Sequence, residues 1–142
     1  MPLNHIITKA ELNPKRLFLI DGFGAILSAF LLGIVLVKFE MKFGIPSSTL
    51  YLLATIPIFF ATYDFYCYYK TNQKTGFLLK VIAVLNFLYC CISLALVLYH
   101  YHTLTKLGWI YILIEIIIVL LLAIIEFIIG RKLIKVNIKR HA

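Results

Sequence analysis

Four apolar runs, 17–37, 48–69, 77–99 and 109–129, fix what this chain can become. Each reaches the ~20 residues that a helix needs to cross a bilayer. The links between them are short and carry turn chemistry: "EMKFGIP" around Gly44 and Pro46, "KTNQKTG" ending at Gly76, and "HYHTLTKLG" ending at Gly108. Links this short make consecutive spans run antiparallel. The runs are continuously apolar rather than alternating, which excludes a transmembrane β-barrel. The expected fold is therefore all-α: a single four-span domain over 1–142, an integral membrane up-down-up-down four-helix bundle. Composition agrees, with 63% hydrophobic residues and a mean hydropathy of +0.99. A soluble domain of this length runs nearer roughly half apolar and has no means of hiding the excess.

Net charge is +8, but the basic residues lie between the apolar runs, a topology signal rather than a nucleic-acid footprint. Lys9, Lys15 and Arg16 precede the first run, and Lys70, Lys74 and Lys80 surround the second link. Arg131, Lys132, Lys135, Lys139 and Arg140 follow the last run. The opposite side holds Lys38, Lys42 and Lys106 alone. Eleven against three places both termini in the cytoplasm, as an even number of spans requires. Tyr51, Tyr99, Tyr101, Trp109 and Tyr111 gather at the outer boundary, and Tyr66, Tyr68 and Tyr69 at the inner one, as an aromatic belt would. The tail "RKLIKVNIKRHA" reads as a short basic amphipathic segment for anionic lipids of the bilayer. A second copy of the chain or another protein is the further expected partner.

Of six acidic residues, Asp21, Asp64, Glu115 and Glu126 fall inside the runs. Intramembrane ionisable groups are costly and need partners. With a rise of about 1.5 Å per residue, Asp21 and Asp64 both lie about 8–9 Å to the cytoplasmic side of their span centres. Glu126 and Lys80 lie deeper on that side, at roughly 10–12 Å, and Asn86 is near the midplane. These five form an inner polar layer if their faces converge, with Lys80 the least well aligned and able to snorkel outward. Glu115 stands about 6 Å to the outer side, with Glu40, His100 and His102 as expected neighbours.

Small residues argue for convergence. Asp21, Ala25, Ala29 and Gly33 recur every fourth position, with Gly22 and Ser28 alongside, so Asp21 shares a close-packing stripe. Asp64 stacks over Ala61, Pro57 and Ala54, and Asn86 lies with Ala83, Cys90 and Ser93. Glu115 and Glu126, eleven residues apart, share a face. Two carboxyls at one depth cannot both ionise cheaply in a dry pocket, which makes Asp21 and Asp64 a candidate proton-carrier or cation site. The alternative role is interhelical glue, and Glu126 sits close enough to Arg131 and Lys132 to be an ordinary interfacial residue. Pro57 frees a backbone carbonyl in mid-run, with Thr55 or Thr62 expected to satisfy it.

Other chemistries find no support. His100 and His102 point about 200° apart on a helix, so no metal site is expected. No cofactor is expected either: no histidines face each other deep in two spans, and no nucleotide loop, zincin motif or Ser/His/Asp set occurs. Cys67, Cys90 and Cys91 lack CxxC spacing and read as buried apolar thiols. No cleavable signal peptide is expected, since the first sixteen residues are polar.

The strings "LFLIDGFGAILSAFLLGIVLVKFE", "YDFYCYY" and "GWIYILIEIIIVLLLAIIE" resemble uncharacterised small four-span bacterial membrane proteins over most of the chain. That resemblance implies no activity; the richness in Ile, Lys and Asn fits an AT-rich bacterial genome, which makes the inner membrane the expected home. Small multidrug transporters also have four short spans and an acid in the first, but their surrounding pattern is not matched. The expected function is a structural or binding component of the bacterial inner membrane, with a small proton- or cation-coupled transporter as the alternative and an intramembrane enzyme third.

Overall fold

Turn residues set the helix boundaries. The computed structural model describes residues 2–70 and 74–142, and these are helical with no strand. The middle of the second link, 71–73, lies outside the described residues. Helix α1 is Pro2–Leu12, and α2 is Lys15–Phe30, continued without a break by a π-helical stretch, Leu31–Leu36. A four-residue helix, α3 (Glu40–Phe43), ends at Gly44, whose φ of 74° is the left-handed conformation that closes helices. Then come α4 (Ser47–Tyr69), entered through Pro46, and α5 (Thr75–Tyr99). Helix α6, Lys106–His141, is capped by the Thr105 hydroxyl, which accepts from the Gly108 amide at 3.1 Å. Four of these helices are long and apolar enough to cross a membrane.

Two stretches differ from the sequence expectation. The polar N-terminal segment is a helix, α1, whose Ile7 and Ala10 pack against the core end formed by Leu17, Phe18, Leu79, Ile82 and Ile129. The basic tail is not a separate segment but the last turns of α6. Nothing from Gly130 to His141 breaks a helix, because Pro is absent and Lys, Arg, Leu and Ile are good or tolerable helix formers. Glu11 on α1 pairs with Lys132 on α6, which ties the two extensions together.

Helix α2 packs mainly on α4, and α5 mainly on α6, so the bundle is two helix pairs. Small residues bring each pair together. A methyl added at Gly22 would lie 3.3 Å from the Asp64 Cβ, and one at Gly33 would lie 3.1 Å from the Ala54 Cβ. The partner number falls as the α2 number rises, so these helices run antiparallel. In the other pair, Gly76 and Gly130 cross so closely that a methyl at either would lie 2.8 or 2.6 Å from the other's carbonyl.

The surface is inverted relative to a soluble protein. Phe23, Phe59 and Ile118 are 62%, 70% and 60% exposed, whereas Asp64 and Glu126 are wholly enclosed. Asp21 and Glu115 are nearly so. An apolar outside around acids on the inside is compatible with a multi-pass membrane protein. Cys67 and Cys90 are buried as expected, but Cys91 faces outward, one position past the packed face of α5.

Candidate functional site

Each long helix contributes one polar side chain to a single buried layer near the end that carries both termini. Asp21 comes from α2, Asp64 from α4, Asn86 from α5 and Glu126 from α6. The Asn86 amide donates to Asp21 Oδ2 at 2.8 Å and to Glu126 Oε2 at 3.2 Å. Asp21 also lies within carboxyl–carboxyl hydrogen-bonding reach of both Asp64 and Glu126. The small-residue stripe puts them there: Ala25 on α2, Ala54 and Ala61 on α4 and Ala83 on α5 are all buried, leaving room for polar neighbours to meet.

Donors run short in this layer. An amide nitrogen has two hydrogens, and both are used by Asn86. Asp64 Oδ1, Asp64 Oδ2 and Glu126 Oε1 are fully enclosed with no donor from another kind of group among the described residues. An ionised carboxylate only accepts, so carboxyl–carboxyl contacts close only when a hydrogen sits between the oxygens. The layer therefore fits one or more bound protons better than three free carboxylates. Glu126 belongs to it and is not the interfacial residue that its spacing from Arg131 suggests. Its side chain is wholly enclosed and accepts from Asn86 of α5.

Lys80 stays out of the layer. Its ammonium lies 5.2 Å from the centroid of the Phe127 ring, a cation–π contact at the edge of the α5–α6 pair. The 120° offset from Asn86 along α5 accounts for this.

Glu115 belongs to a second, smaller group. The Tyr89 hydroxyl lies 3.2 Å from Glu115 Oε1 and 3.4 Å from the Leu53 carbonyl oxygen. That carbonyl is the one Pro57 frees, four residues ahead of the ring. Thr55 and Thr62 instead donate to Tyr51 and Ile58, within their own helix. One phenolic hydrogen cannot serve two acceptors, so both contacts are full hydrogen bonds only when the Glu115 carboxyl brings its own. Tyr89 was not among the residues singled out by spacing, although Leu53 could be found by counting back from Pro57. Replacing Tyr89 with Phe should lower stability by about 1–3 kcal/mol, read as a lower melting temperature in detergent, because the Leu53 carbonyl and Glu115 lose their shared partner. An unchanged melting temperature would show that the hydroxyl does not hold α5 to α4.

The expected outer neighbours of Glu115 have other partners. Glu40 accepts from the Ser47 hydroxyl at 2.8 Å, His100 Nε2 is 3.0 Å from the Thr49 hydroxyl, and His102 stacks on Tyr101. Their positions at link residues leave them too far along the bundle axis. Among the described residues, no three His, Cys, Asp or Glu side chains are placed to hold a metal ion. None of the main grooves among the described residues is lined by Asp21, Asp64, Asn86 or Glu126, although one of about 300 Å³ runs between α5 and α6 past their neighbours Ala83, Phe87, Ala123 and Phe127. One of about 210 Å³ between α2 and α6 opens outward and reaches Glu115 beside Ser28 and Tyr111.

Fold and site together define a class: an all-helical chain with four helices able to cross a membrane and a buried carboxyl layer between them. Comparison with protein-family models, with curated proteins and with solved structures finds no match for this chain.

Proposed function

We propose that the chain is a multi-pass protein of the bacterial inner membrane, both termini cytoplasmic, whose buried carboxyl layer binds and exchanges protons. It is thus a small proton-coupled membrane protein. One observation carries this reading: Asp64 is wholly enclosed, neither of its oxygens meets a donor from another kind of group among the described residues, and Asp21 faces it. Its carboxyl has only a proton to complete it. A proton needs no cavity, which fits a layer whose four side chains line none of the main grooves among the described residues. Orientation rests on the eleven-to-three distribution of Lys and Arg.

The second reading, a structural or binding component of the membrane, draws on the same Asn86 contacts. Hydrogen bonds from one amide to two helices are what interhelical glue requires.

Proton flux into liposomes under an imposed membrane potential separates the two. Wild type should acidify the lumen. Asp21→Asn and Asp64→Asn should insert and purify folded, yet give only the leak of empty liposomes. Both variants matching wild type overturns proton coupling. Misassembly of both assigns the layer to packing.

A further inference from the structure

A second polar feature lies outside the carboxyl layer, where α1 meets the start of α2. The largest of the main grooves, about 620 Å³, is lined here by Ile6, Lys9, Asn13, Arg16, Leu17 and Ile20. Among the described residues, no carboxylate pairs with its two cations. Glu11, the acid on α1, is engaged by Lys132 of α6, and Asp21, the acid of α2, is turned into the bundle. The lower part of the groove is apolar, with Ile6 and Ile20 49% and 58% exposed. The groove is also held in shape, because Ile7 and Ala10 pack α1 onto the core and the Glu11–Lys132 pair fixes its end.

We propose that this groove binds one anionic phospholipid, its phosphate met by Lys9, Arg16 and the Asn13 amide and an acyl chain laid along Leu17 and Ile20. The charges alone would suit any phosphate, but the apolar floor has a use only if the phosphate carries a hydrocarbon chain. Two uncompensated cations also select the headgroup. A zwitterionic lipid would bring its own cation against Lys9 and Arg16, whereas an anionic one brings none. The basic part of α6 also has a groove, of about 400 Å³ and lined by Lys132, Lys135, Ile129, Leu133 and Val136, but Glu11 lines it too and pairs with Lys132. The site depends on the chain being membrane-embedded and is independent of proton binding at the inner layer.

Native mass spectrometry of the full chain in detergent tests it, with phosphatidylglycerol, phosphatidylcholine of the same acyl chains, and inorganic phosphate as probes. One phosphatidylglycerol should be retained in preference to phosphatidylcholine and should not be displaced by millimolar phosphate. The double variant Lys9→Gln/Arg16→Gln should weaken retention on the order of 30-fold, from the loss of two juxtamembrane charges. Lys139→Gln/Arg140→Gln removes the same charge from the end of α6 and should leave retention unchanged. If the first pair fails to fold, Ile20→Trp fills the floor without altering charge and should reduce retention as well. Equal retention of both lipids, displacement by phosphate alone, equal loss in the α6 variant, or full retention by Ile20→Trp would each overturn the site.

Discussion

Asn86→Leu is expected to destabilise the protein by about 2–4 kcal/mol, the largest loss from any single side chain in the buried layer. The reason is positional. Asn86 stands on α5 and donates both to Glu126 on its own partner helix and to Asp21 on the other helix pair. Leu fills much the same space but leaves two enclosed carboxyl oxygens without their donor. Chemical unfolding in detergent, followed by helix content, would measure the loss. The control runs the opposite way. Asp64→Asn places an amide where two oxygens lack a donor, and that amide can donate to Asp21 permanently. Its stability should equal or exceed that of wild type, even as proton exchange at the layer is lost. A protein in which Asn86→Leu costs nothing, or in which Asp64→Asn unfolds, does not use this layer as described.

The contrast between these two substitutions also shows where the sequence was readable. Depth came from counting at a fixed rise along each run, and facing came from small residues at every fourth position. Together they brought Asp21 and Asp64 to one level and one side, with Asn86 on a facing stripe but counted nearer the midplane. Glu126 was harder, because the nearest basic residues in the chain, Arg131 and Lys132, suggest an interface. The helix in fact runs on to His141, and Lys132 pairs with Glu11. Whether a run of Lys, Leu and Ile continues a helix depends on what docks against it, and α1 does that docking from the far end of the sequence. Tyr89 was hidden for a different reason. Its role depends on Pro57 of a neighbouring helix, and spacing within one helix carries no information about register with the next. Outer-side histidines failed as neighbours of Glu115 because link residues sit beyond the end of the helices, where distance along the chain overstates proximity.

Glycine substitutions offer the second large effect, because the same chemical change should act with opposite signs at two positions. Gly44→Ala is expected to destabilise by about 2–5 kcal/mol, combining a left-handed backbone with an overpacked contact. Gly44 has φ of 74°, and a methyl there would lie 2.0 Å from the Thr103 carbonyl oxygen and 2.9 Å from the Thr105 nitrogen. Both are backbone atoms and cannot swing aside. They belong to a zipper between the two links at that end: the Thr105 amide donates to the Phe43 carbonyl at 3.2 Å, and the Thr103 and Thr105 hydroxyls donate to the Gly44 and Lys42 carbonyls. This zipper joins one helix pair to the other at the link end, as the Asn86 layer, the Tyr89–Leu53 contact and the Tyr63–Leu78 contact do further along the bundle. Opening the zipper therefore loosens the α2–α4 pair against α5–α6, not merely a surface turn. Gly24→Ala has none of these costs. Gly24 lies mid-helix on the outer face of α2, with nothing within 4 Å of an added methyl. There the change should stabilise by about 0.5–1 kcal/mol through helix propensity alone. Melting temperatures of the two variants in one detergent should move apart in opposite directions. If Gly44→Ala is as stable as wild type, the links do not interlock, and the contacts within the bundle, from the Asn86 layer and from Tyr89 and Tyr63, hold the two pairs together without them.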